Sequence, residues 1–268
     1  MEAIKDWNEA YNNMGSVENG ERFLELWPQV AAEFRESVDH QVDIAYGEAD
    51  RNRFDLFHPE GESKGLFVFV HGGYWLRFEK SFWSHLAKGP LSKGWTVAMP
   101  SYTLCPDARI SDITREVASA INCAAEKVEG PIVLCGHSAG GHLVTRQICQ
   151  DTGLYPQTIN RVQRVISISG LHDLRPILKI DHNITLSLDE AEAIDESPAL
   201  LNPVPNIAVD CLVGADELPE FVRQNDLLAN IWRGIGVETS SIHLPGKHHF
   251  DVIDDLESSE GIVTRLLD

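Results

Sequence analysis

At 268 residues, 43% of them hydrophobic, the chain can bury a sizeable core and fits one large α/β domain, 1–268, better than two small ones. Its 22 basic and 41 acidic residues give a net charge of −19, which repels phosphate backbones and anionic membranes and argues against nucleic-acid binding. The start lacks the basic and apolar regions of a signal peptide, and no apolar run approaches the roughly 20 residues of a membrane span. Five scattered cysteines without CxxC spacing point to neither metal nor redox chemistry, so a soluble, reduced, cytoplasmic protein is expected.

Residues 1–38 read as a polar helical lead-in. Phe23, Leu24, Leu26, Trp27, Val30, Ala31 and Phe34 recur at helical spacing, as a stripe that docks on a main body would. Segments 42–46 and 53–57 alternate as two edge strands joined by a turn near Glu48, Ala49 and Asp50. Continuous apolar runs then follow at 66–70, 96–99, 132–135, 165–168 and 209–213, and 238–243 closes the series. Such runs are expected of strands covered on both faces, in a mostly parallel sheet flanked by helices. Helical periodicity at 110–127 and 219–233 supplies part of that cover, and the less regular stretch 177–205 suits a small cap over the carboxyl ends of the strands.

The chemistry-bearing residues fall at those strand ends, where ligands bind in open parallel sheets. After the 132–135 run comes Gly136-His137-Ser138-Ala139-Gly140, then a helix-like stretch. Strand, G-x-S-x-G and helix together form the context of a nucleophile elbow, with Ser138 in the strained turn. After the 66–70 run comes His71-Gly72-Gly73-Tyr74-Trp75. Its glycines let the main chain approach a substrate, so that N–H groups of Gly72 or Gly73, Tyr74 and Ala139 can hold an oxyanion. His71 suits a structural role in orienting that loop. Trp75 and Tyr102 are candidates for an aromatic substrate pocket. An acid is expected after the next-to-last strand, where Asp216 and Glu217 share one turn, and Glu220 suits a helix N-terminal charge. A base is expected after the last strand, where His248 and His249 are adjacent. Chain order Ser, acid, His matches that of α/β-hydrolase triads.

Taken together, these residues resemble the α/β-hydrolase superfamily from Val42 onward. His71-Gly72-Gly73-Tyr74-Trp75 is similar to the HGGxW motif of the kynurenine formamidase (arylformamidase) group, near the hormone-sensitive-lipase-like carboxylesterases with their HGGG. Pro219-Glu220-Phe221 and His249-Phe250-Asp251 also look like the formamidase group. That resemblance implies Glu217 as triad acid, two residues before the proline, and His249 as base, immediately before phenylalanine. The group's usual acid is aspartate, so glutamate here is a departure that keeps Asp216, with His248, as the alternative. The resemblance implies an acyl-enzyme mechanism on a small-molecule acyl substrate, with no metal or organic cofactor. It implies an aryl formamide such as N-formylkynurenine as substrate, or else short acyl esters; a homodimer is compatible with it. A non-catalytic binding protein on the same fold predicts a broken triad or a blocked oxyanion loop, and neither is visible.

Overall fold

The computed structural model describes residues 3–268. Eight strands form one sheet: β1 (His40–Ala45), β2 (Arg53–Phe57), β3 (Leu66–Val70), β4 (Thr96–Pro100), β5 (Ile132–His137), β6 (Val162–Ile168), β7 (Ala208–Gly214) and β8 (Thr239–Leu244). Their order is β1-β2-β4-β3-β5-β6-β7-β8. β1 and β2 run antiparallel, β2 and β4 likewise, and every pairing from β4 to β8 is parallel.

Alternation along each strand sends side chains to two cores. Leu66, Val68 and Val70 of β3 pack on one face with Ile113, Val117 and Ile121 of the Ile110–Lys127 helix and with Leu228 and Trp232 of the Pro219–Gly234 helix. Phe67 and Phe69 point to the other face and join Trp83, Leu86 and Phe250. Both faces being covered explains why the sequence of β3 is apolar throughout.

β2 corrects one expectation. It is an interior strand, paired on both sides, and only β1 lies at that edge. Its Asp55 is 2% exposed and is bonded at 2.8 Å by the Lys80 ammonium and at 3.0 Å by the Asp43 N–H.

The lead-in folds as the short helices Trp7–Ala10 and Asn13–Ser16 and the longer helix Arg22–Arg35. Phe23, Trp27 and Ala31 of the predicted stripe are buried. The Trp27 ring packs on Trp83 at 4.7 Å, Phe250 at 5.7 Å and Phe78 at 5.9 Å. Polar ties fix the shorter helices: the Tyr11 hydroxyl donates to Glu220 at 2.8 Å, and the Asp181 N–H donates to Asn8 at 2.7 Å. The stretch 177–205 is irregular, with short turns of helix at Asn183–Leu186, Glu190–Asp195 and Pro198–Leu200. Among the described residues, no helix is long and apolar enough to cross a membrane.

Candidate active site

Ser138 stands between β5 and the Ala139–Arg146 helix, with φ 56° and ψ −119°. A non-glycine residue in this region is strained, and such strain clusters at functional sites. Close packing enforces the turn. A Cβ on Gly140 would lie 1.9 Å from the main-chain oxygen of Val70, so the helix can pass β3 only with glycine there. Gly140→Ala is therefore expected to cost about 3 kcal/mol or more, read as a lowered urea midpoint.

The His71–Trp75 loop lies against this elbow. A Cβ on Gly72 would meet the His137 carbonyl at 2.7 Å, and Gly73 has φ +110°. Tyr74 and Trp75 follow with φ 53° and 57°. Among the described residues, no protein acceptor takes the N–H groups of Gly73, Tyr74 or Ala139. His71 is tied into this loop by its own contacts. Its Nδ1 bonds the Gly72 carbonyl at 2.8 Å, its own carbonyl accepts the Tyr102 hydroxyl at 2.9 Å, and the two rings stack at 4.4 Å. Burial lowers the His71 pKa to about 3, so it stays neutral.

The two alternatives left by adjacent acids and histidines separate cleanly in space. Glu217 is buried, and its Oε2 faces His249 Nδ1 at 2.6 Å. Its Oε1 accepts the Ser169 hydroxyl at 2.5 Å and the Gly214 N–H at 2.8 Å. A carboxylate on Nδ1 fixes the tautomer with the proton there, which leaves Nε2 as an acceptor. Asp216 is exposed. His248 accepts N–H bonds from Phe250 and Asp251 and packs its ring on Phe23. Neither Asp216 nor His248 lines the cavity that holds Ser138 and His249.

That cavity measures about 450 Å³ and combines the elbow, the glycine loop, His249 and the lead-in helices. Its size suits a small organic molecule. Two pocket candidates lie elsewhere. Trp75 and Tyr102 are fully buried and outside the cavity wall; Trp75 packs edge-on against His142 at 5.2 Å. The consecutive left-handed residues turn the indole beneath the loop while Tyr74 remains in the wall. The aromatic lining comes instead from Tyr11, Trp27, Tyr74, Phe78, Trp83 and Phe250.

Sequence reasoning also missed His137, Asn13 and His182 in the wall. His137 Nε2 donates to the His249 carbonyl at 2.9 Å, and burial followed by the neighbouring His249 holds its pKa well below the usual histidine range. It therefore stays neutral beside His249. Its place inside the elbow motif was the one available signal. Residue 182 falls within the anticipated cap, and Asn13 within the lead-in, where nothing local marks either one.

A family profile described as the alpha/beta hydrolase family matches residues 67–238. The chain is 29% identical over 237 residues to the kynurenine formamidase of Danio rerio, covering 84% of this chain and 80% of that protein. It is 28% identical over 263 residues to the kynurenine formamidase of Drosophila melanogaster, covering 92% and 87%. A crystal structure from Silicibacter sp. TM1040, provisionally named a thioesterase, superposes with a TM-score of 0.92 at 43% identity over 98% of both chains. The fold, the elbow and the family match agree: the chain belongs to the alpha/beta hydrolase family.

Proposed function

We propose that the protein is a serine hydrolase that cleaves an aryl formamide, such as N-formylkynurenine, to formate and the aryl amine. The observation that carries this reading is the Glu217–His249 pair at 2.6 Å, with His249 lining an aromatic-walled cavity together with the strained Ser138. His249 Nε2 takes the Ser138 proton as Oγ attacks the formyl carbon, while Glu217 stabilises the imidazolium. The oxyanion is held by N–H groups of Gly72 or Gly73, Tyr74 and Ala139. Collapse breaks the C–N bond, and His249 delivers its proton to the departing amine. Water, activated by the same imidazole, then hydrolyses the formyl-enzyme to formate. None of these steps uses a metal or organic cofactor.

The formamidase names of the 28–29% identical relatives support this acyl and leaving group. The thioesterase name of the Silicibacter structure favours a second reading, in which the same machinery acts on short acyl esters or thioesters. Comparing kcat/KM on N-formylkynurenine with p-nitrophenyl acetate and an acetyl thioester separates them. The formamide is expected to lead by about tenfold or more. A rate on the formamide no better than on the esters overturns the first reading. The five unpaired thiols support a reducing, cytoplasmic setting.

A further inference from the structure

A second strained serine stands behind the acid. Ser169 follows β6 directly, is fully buried, and has φ 52°, close to the φ 56° of Ser138 at the end of the neighbouring β5. Its N–H donates to the Leu212 carbonyl at 2.7 Å, which ties this turn to β7. Glycine takes such a backbone without strain, whereas a residue with a Cβ does not. A serine held there, outside the wall of the Ser138 cavity, is explained by what its hydroxyl does.

That hydroxyl donates to Glu217 Oε1 at 2.5 Å. The Gly214 N–H donates to the same oxygen at 2.8 Å, while Oε2 faces His249 Nδ1 at 2.6 Å. The Glu217 side chain folds back along the end of β7, so that a Cβ on Gly214 would lie 3.2 Å from its Cγ. Glutamate has one more rotatable bond than aspartate between main chain and carboxylate, so more freedom must be removed before one oxygen holds a set position. The Gly214 N–H alone leaves the carboxylate able to pivot about a single hydrogen bond. A second donor, arriving from the end of a different strand, removes that pivot.

Resting on the triad proposed above, we propose that Ser169 is a positioning residue for the reaction: its hydroxyl, with the Gly214 N–H, pins one oxygen of Glu217 so that the other stays on His249 Nδ1. It touches neither substrate nor the reacting atoms and acts through Glu217 alone. The left-handed turn after β6 thus serves the acid as the elbow after β5 serves the nucleophile.

The test is a double-mutant cycle between Ser169 and Glu217, read by steady-state kinetics on whichever of N-formylkynurenine and p-nitrophenyl acetate the wild type turns over faster, with a thermal melt of each protein. Ser169→Ala is expected to lower kcat by about tenfold or more, with KM within about twofold of the wild type. In a Glu217→Gln background the same substitution is expected to change kcat by less than about twofold, because the group it positions no longer holds the base in its working tautomer. Ser169→Gly is expected to lose as much activity as Ser169→Ala while melting no lower than it, since glycine relieves the left-handed backbone. Equal losses in the two backgrounds mark a structural effect that bypasses Glu217 and overturn the proposal, as does a wild-type kcat in either single variant of Ser169. If the alanine variant does not fold, the glycine variant supplies the cycle. The two ideas fail separately: wild-type turnover by Glu217→Gln removes the triad itself, whereas a crippled Glu217→Gln with additive losses removes only the role of Ser169.

Discussion

Ser138→Ala is expected to lower kcat/KM by roughly 10⁴- to 10⁶-fold on every acyl substrate, with the urea midpoint little changed. The activity loss follows from removal of the only hydroxyl that the elbow presents to the His249 cavity. Alanine keeps the Cβ at φ 56° and the packing that enforces the turn, so the fold should be little changed. The residual rate would come from the oxyanion N–H groups and from binding alone. Wild-type turnover in the alanine variant would require another nucleophile and would end the acyl-enzyme mechanism.

Glu217→Gln is the second large effect, a loss of roughly 10³- to 10⁴-fold in kcat. The amide would turn an N–H toward His249 Nδ1 and favour the tautomer that cannot accept the Ser138 proton. It would also disturb a buried carboxylate that holds the Ser169 hydroxyl and the Gly214 N–H, so part of the change should appear as lost stability. Asp216→Asn, one residue away and exposed, is expected to stay within about threefold of wild type. Steady-state kinetics on both variants decides the matter: a crippled Asp216→Asn beside a healthy Glu217→Gln reverses the assignment of the acid.

The features legible in the sequence were those written in short stretches. The elbow, the glycine loop and the order of serine, acid and histidine each occupy a few consecutive residues at the end of a strand. The buried strands announced themselves by continuous apolar runs. Adjacent pairs were harder. Nothing local says which of Asp216 and Glu217 turns inward, and only the fold brings residue 217 to residue 249. Trp75 was misplaced because its neighbour Tyr74 takes the cavity side of a doubly left-handed turn. β2 was misread as an edge because its pairing with β4, residues 96–100, leaves no local mark on an alternating segment. The cavity wall was the least legible of all, since Asn13 and Trp27 meet Ser138 and Phe250 across more than a hundred residues.

That long-range meeting has a consequence for biosynthesis. The Arg22–Arg35 helix is made well ahead of Phe250, so Phe23 and Trp27 leave the ribosome before that partner exists. The nascent chain must carry this sticky face until residue 250 has been made, which makes it a natural target for holding chaperones and a point of aggregation when synthesis stalls. It also means that an incomplete chain has no finished catalytic cavity, so truncated products should be inert rather than promiscuous.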